Sequence, residues 1–166
     1  MIQRMKNQMK IKIILFLILF PFYVCAQDAP IPRFASLRSD VVNMRSGPGE
    51  RFPIEWVYKS INFPVEIIDA YDTWYKIKDV DNTSGWIHKK MLTGKRYGLT
   101  KKNEKTSVYK KDSMTSRVVG YFDGQITVQL IKCKKENPFC VVSYNNLKGY
   151  VLRSALYGIY PNEEID

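Results

Sequence analysis

The one histidine of this 166-residue chain, His88, is the first side chain to weigh for chemistry. An imidazole works as a general base when a partner orients it and a nucleophile lies in reach. No motif around His88 supplies either, so it reads as a surface residue at a strand end. Asp69, Asp72, Asp79 and Asp81 contain the raw material for a carboxylate pair of the glycan-cleaving kind. They fall in turn-like stretches, where Asp is at home for local hydrogen-bonding reasons. Ser46-Gly47-Pro48-Gly49 has the glycines of a phosphate cradle. It lacks both the Gly-x-x-x-x-Gly-Lys spacing and a following helix, and reads as a turn. Cys133 and Cys140 are too few for zinc, with His88 remote. The chain is therefore expected to have no catalytic residue, no cofactor and no metal.

Binding chemistry is better represented. Trp74-Tyr75-Lys76-Ile77-Lys78 alternates, so Tyr75 and Ile77 share one face and Trp74 lies on the other. With Tyr75 and Ile77 turned to the core, Trp74 points outward. A large outward ring needs cover from a loop or a neighbouring unit, or else it lines a ligand groove. The same choice applies to Trp56, Tyr58 and Trp86. Aromatic rings suit both polyproline ligands and sugars. Arg45 precedes the Ser-Gly-Pro-Gly turn and either braces it or faces a groove. Arg45, Trp56, Tyr58, Trp74 and Trp86 are the candidate ligand-binding residues.

The elements that must position these residues are short strands. Val41 to Arg45, Ile54 to Tyr58, Pro64 to Tyr71, Trp74 to Lys78 and Gly85 to His88 are rich in β-branched and aromatic residues and are separated by turn signals. Another strand candidate runs from Phe34 to Leu37. Lys89 to Leu92 reads as one 3-10 turn. No amphipathic helix longer than two turns is visible, which predicts an all-β barrel. Gly85-Trp86-Ile87-His88-Lys89-Lys90-Met91-Leu92-Thr93-Gly94 returns as Gly149-Tyr150-Val151-Leu152-Arg153-Ser154-Ala155-Leu156-Tyr157-Gly158, with an offset of 64 at both ends. A pattern recurring at one spacing implies a unit that occurs twice, the second after a basic hinge at Lys95-Arg96.

The N-terminus reads as an address. Arg4, Lys6, Lys10 and Lys12 precede an apolar run from Ile13 to Val24, which ends in Val24-Cys25-Ala26. The run is about 12 residues against the roughly 20 of a bilayer span. This predicts a signal peptide over 1–26, cleaved between Ala26 and Gln27, with no integral membrane span afterwards. The leader carries four of the 26 Lys+Arg and none of the 16 Asp+Glu, leaving 22 basic against 16 acidic residues. Those lysines are scattered in pairs rather than massed in a patch, so nucleic acid is not expected as a partner. Export brings Cys133 and Cys140 into an oxidising compartment, where an even pair forms a disulfide. It would staple a hairpin across Lys134 to Phe139, for a gain of roughly 2–3 kcal/mol in the chain-entropy account.

Three separated motifs stand in a fixed order: Asn43-Met44-Arg45-Ser46-Gly47-Pro48-Gly49, then Trp74-Tyr75-Lys76-Ile77, then Gly85-Trp86-Ile87. In these the chain resembles the bacterial SH3-like (SH3b) family. In the second copy Tyr109-Lys110-Lys111-Asp112-Ser113 replaces the turn and Phe139 replaces the Trp. The resemblance implies two tandem small SH3-like barrels and binding rather than chemistry. Eukaryotic SH3 relatives close with Gly-aromatic-Ile-Pro-Ser-Asn-Tyr-Val, whose Pro and Tyr help form a polyproline groove. Here His88 and Met91 stand at those positions, and Leu152 and Ala155 in the second unit, so a polyproline ligand is not implied.

The expected organisation is a signal peptide at 1–26, an extended leader at 27–34, SH3-like units at 35–95 and 96–160, and a polar tail at 161–166, with the stretch from Ile159 to Asp166 ordered only where it leaves the barrel. The expected role is a non-catalytic exported binding module of the periplasm or the exterior, contacting peptidoglycan or wall peptides at the cell envelope. The alternatives are an adaptor for an envelope protein and, more remotely, an accessory to a wall hydrolase or a wall-acting enzyme. The oligomeric state is not legible at this stage.

Overall fold

The computed structural model describes residues 29–166; the expected signal peptide and its Ala26–Gln27 cleavage site lie outside the described residues. Strands form where the sequence alternates or runs β-branched. They are β1 (Arg33–Leu37), β2 (Val42–Arg45), β3 (Ile54–Tyr58), β4 (Pro64–Tyr71), β5 (Trp74–Lys78), β6 (Ser84–His88) and β7 (Leu92–Thr93). Then follow β8 (Tyr97–Thr100), β9 (Lys105–Tyr109), β10 (Val118–Asp123), β11 (Thr127–Cys133), β12 (Phe139–Tyr144), β13 (Leu147–Leu152) and β14 (Leu156–Tyr157). The chain is all-β, with two antiparallel sheets. The first has the order β3-β2-β6-β5-β4-β1-β7, and the second β10-β9-β13-β12-β11-β8-β14. Adding seven to each strand number converts one order into the other.

Each sheet curls around its own core. Leu37, Val42, Met44, Val65, Ile67, Ile77 and Ile87 fill the first, and Val108, Val128, Leu130, Val142 and Val151 the second. Period-2 alternation decides which residues enter: Val42 and Met44 are buried while Asn43 between them is exposed. The 3-10 turn expected after β6 forms at Lys89–Met91, and its counterpart at Arg153–Ala155.

The repeated glycine has a steric cause. A Cβ on Gly85 would lie 2.7 Å from Met44 Cγ and 2.9 Å from the Arg45 carbonyl oxygen. On Gly149 it would lie 2.5 Å from Val108 Cγ1 and 2.8 Å from the Tyr109 oxygen. In both sheets this glycine lets the last long strand approach the second one, β6 against β2 and β13 against β9.

Cys133 and Cys140 are disulfide-bonded, with Cα atoms 4.4 Å apart, and face each other directly in the β11–β12 register. Both are fully buried. The hairpin the sequence called for is therefore stapled inside the second core.

Two expectations need correction. The terminal residues are not loosely held. Ile165 exchanges both backbone hydrogen bonds with Cys133, at 2.8 and 2.9 Å. The buried Arg153 guanidinium donates to the carbonyls of Tyr160, Glu163 and Lys134 at 2.9, 2.7 and 2.6 Å. A buried cation needs acceptors, and Tyr160 and Glu163 at the chain's end supply two of them from their backbone. Nor is Lys95-Arg96 a free hinge. Arg96 pairs with the Glu163 carboxylate and donates to the Gly158 carbonyl at 2.7 Å. β8, which had no counterpart in the sequence reading, begins immediately after it.

Arg96 also stands over Phe34, part of a seam joining the sheets. The Phe34 ring packs edge-on to Tyr157 at 5.2 Å and tilted against Tyr160 at 4.7 Å. Tyr160 donates to Glu66 Oε1 at 2.7 Å, Tyr157 donates to the Lys78 carbonyl at 3.1 Å, and Lys78 pairs with Glu66 Oε2 at 2.8 Å. Burial raises the pKa of both tyrosines and the Glu66 charge raises them further, so they stay neutral donors.

At Glu66 burial alone would push the carboxyl up, but hydrogen bonds from Lys78 and Tyr160 outweigh it and leave it below its ordinary 4.5. A lowered folded-state pKa contributes stability above the unfolded value and loses it as pH falls through the folded one. Urea midpoints should therefore fall as the pH drops below about 4.5, and Glu66→Gln should flatten that part of the profile. Gly85→Ala and Gly149→Ala should each cost about 1–3 kcal/mol in denaturant unfolding, the range for overpacking a filled core.

Candidate ligand groove

The outward face of the first sheet carries the groove. Because Val42 and Met44 point inward, β2 presents Asn43 and Arg45 outward. β5 and β6 run antiparallel with Trp74 opposite His88 and Lys76 opposite Trp86, while Arg45 of β2 faces Trp86. Val41, Asn43, Arg45, Glu50, Trp74, His88, Lys90 and Met91 enclose an open groove of about 320 Å³.

Trp74 forms its wall and is only 8% exposed, although it stands outside the first core. Its ring meets the His88 ring edge-on at 5.2 Å. Two bonds fix the turn that begins at His88. Its Nδ1 accepts from the Lys90 backbone N–H at 3.1 Å, capping the 3-10 turn. The Lys89 N–H binds the Thr73 carbonyl at 2.9 Å. Nδ1 as acceptor leaves the neutral ring its proton on Nε2. Arg45 does both jobs the sequence left open. Its Nη1 donates to the carbonyls of Phe52 and Glu50 at 2.7 and 3.1 Å, bracing the turn, while its side chain lines the groove. Phe52 packs where a side chain on Gly47 would sit, 2.5 Å from its Cβ position, so the turn needs glycine there.

Of the five residues expected to bind, the structure brings Arg45 and Trp74 together in the groove. Trp86 is half-buried on the same sheet face beside Arg45, outside the groove lining. Trp56 lies on the edge strand β3 and is 53% exposed. Tyr58 departs from expectation: it sits in the core, and its hydroxyl donates to Asp79 Oδ2 at 2.9 Å. Burial first, and the Asp79 carboxylate next, hold its pKa far above the usual tyrosine value. Asp79 is itself buried, and its Oδ1 accepts from the N–H groups of Asp81 and Thr83 at 3.0 and 2.9 Å. This carboxylate is spent on structure. Among the described residues no group of three His, Cys, Asp or Glu is placed to hold a metal ion.

Sequence reasoning missed Val41, Asn43, Glu50 and Lys90, and it set His88 aside as a strand end. A signal was present. His88 and Met91 stand at the two positions singled out in the repeated motif for lacking Pro and Tyr, and both line the groove. The second sheet has a cleft in the same register, of about 250 Å³, with Lys105, Ser107, Tyr109, Leu152, Ser154 and Ala155 in its wall. Tyr109 takes the place of Arg45, each opposite the aromatic residue of the repeated motif.

This geometry agrees with what the chain matches. Residues 38–94 fit the family model for the bacterial SH3 domain. The match runs from just before β2 to just past β7 and holds every groove residue. No curated protein matches the chain. Two similar solved structures are NlpC1 and NlpC2 from Trichomonas vaginalis. The first is 16% identical over 83% of this chain and 50% of that one, with a TM-score of 0.34. The second is 14% identical over 78% and 49%, with a TM-score of 0.35. The chain thus spans about half the length of each, and at this degree of likeness neither protein's activity bears on it.

Since Tyr58 serves the core, Tyr58→Phe should lower unfolding stability by about 1–3 kcal/mol, the cost of stripping one partner from a buried acceptor. The near-ultraviolet signal of Trp74 should be unchanged.

Proposed function

We propose that this chain is an exported, non-catalytic binding module of the cell envelope, whose groove takes peptidoglycan or its wall peptides. The carrying observation is the groove itself, which places the Arg45 and Lys90 cations beside an aromatic wall of Trp74 and His88. Such a lining matches a ligand that has both apolar ring faces and carboxylates. The bacterial SH3 match over the same residues supports a binding role. The disulfide supports maturation in an oxidising compartment, the periplasm or the exterior. Among the described residues no helix is long and apolar enough to cross a membrane.

On this reading the chain holds two SH3-like units, 35–95 and 96–160. The identical strand order of the two sheets supports the pairing. The tail at 161–166 belongs with the second unit, to which Ile165 and Arg153 fasten it.

The test is cosedimentation with purified peptidoglycan. The mature protein should pellet with the polymer, and Lys90→Ala, an exposed change that removes one groove cation, should weaken the pelleting several-fold. Equal recovery of the protein and of a charge-matched unrelated control would overturn the proposal.

A further inference from the structure

The groove changes character along its length. Arg45 faces Trp86 across the β2–β6 contact, and the two strands run antiparallel. Moving two residues along each brings Asn43 toward His88. Arg45 and Glu50 therefore mark one end, and the rings of Trp74 and His88 the middle. Lys90 and Met91, which follow His88 into the 3-10 turn, mark the other end.

The Arg45 end carries both signs of charge. Arg45 Nη1 donates to the Glu50 carbonyl at 3.1 Å and to the Phe52 carbonyl at 2.7 Å. These bonds tie the guanidinium to the backbone from which the Glu50 side chain leaves. They do not spend the charges themselves on each other. Among the described residues Arg45 Nη2 makes no hydrogen bond, and the exposed Glu50 carboxylate has no partner. A cation and an anion held as neighbours, neither neutralised by the other, suit a ligand that carries the same two charges side by side. The corresponding place in the second sheet has no such pair. Tyr109 stands where Arg45 does in the first, and Asp112 of the adjoining turn accepts from Asn137 at 3.0 Å.

Resting on the wall-peptide reading of the groove, we infer that its Arg45 end takes a zwitterion. The ligand group is a diamino acid whose side-chain carbon bears both an ammonium and a carboxylate. The ammonium meets Glu50, and the carboxylate meets the free edge of the Arg45 guanidinium. The apolar stem of that residue then lies along the Trp74 and His88 rings. Lys90 is left for a second carboxylate further along the same peptide. N-acetylated sugars offer hydroxyls and amides but no ammonium, and would leave Glu50 without a counter-charge. A cross-link that acylates the ammonium removes half of the recognised pair, so the groove selects peptides that are not cross-linked at that amine.

Cosedimentation with diaminopimelate-containing peptidoglycan, before and after acetylation of its free amines, tests this. Acetylation removes the ammonium and keeps the carboxylates, so the polymer becomes more anionic. The chain is basic, with 26 Lys+Arg against 16 Asp+Glu, and attraction through overall charge would strengthen. Zwitterion recognition has the opposite sign: several-fold less protein should pellet. Glu50→Gln, an exposed change, separates the two in the same way. It makes the chain more basic, yet it should lower pelleting on the native polymer several-fold. On the acetylated polymer it should pellet as the unaltered protein does. Three results would each overturn the inference and leave the wall reading standing: unaltered protein that pellets as well after acetylation, a Glu50→Gln protein that pellets normally on the native polymer, or a Glu50→Gln loss that persists on the acetylated one. Failure of the unaltered protein to pellet with native polymer would overturn both.

Discussion

Everything else in this molecule depends on two strands that come closer than side chains allow. β6 can reach β2, and β13 can reach β9, only because Gly85 and Gly149 leave the contact bare. That approach bends each sheet far enough to enclose Met44 or Val108 and to create a core from so few residues. It also sets the groove. Arg45 comes to lie beside β6 through the β2–β6 contact, and from there its side chain both reaches the turn carbonyls and lines the groove. A loss of curvature would separate Arg45 from Trp74 and His88 without altering any of the three.

The two sheets share a plan but use it differently. The first has a braced turn, an aromatic wall and cations in its groove. The second has given its turn over to Lys110-Lys111-Asp112-Ser113, and its equivalent cleft sets Lys101, Glu104 and Lys105 beside hydroxyls and one tyrosine. Its polar investment lies elsewhere, in the disulfide and in an arginine that satisfies itself on backbone carbonyls of the hairpin and the tail. A buried guanidinium with carbonyl partners only is a structural fastener, because its donors fit several acceptors at fixed angles.

Much of this was legible before any coordinates. Strand positions in the first sheet followed from alternation, and the disulfide followed from an even cysteine count in a chain whose N-terminus reads as an export signal. Arg45 and Trp74 could be named because a turn-bracing cation and an outward tryptophan are local facts. What escaped was non-local. Tyr58 has the composition of a binding residue, and only the arrival of Asp79 from another hairpin makes it a core donor. Lys90 and Glu50 look like ordinary solvated charges until the chain folds them around Trp74. The tail reads as polar and loose because its partners are backbone groups of Cys133 and the head group of Arg153, none of which leaves a pattern in the tail itself.

The seam through Phe34, Tyr157, Tyr160 and Glu66 has a further meaning. A chain of two modules on a supple linker samples many separations, and its second contact is limited by how often the right one arises. Here aromatic packing and neutral tyrosine donors join the two sheets directly. The groove of the first and the cleft of the second are thus set at one spacing and one angle. If the proposed binding draws on both, this seam sets the interval between the two contacts.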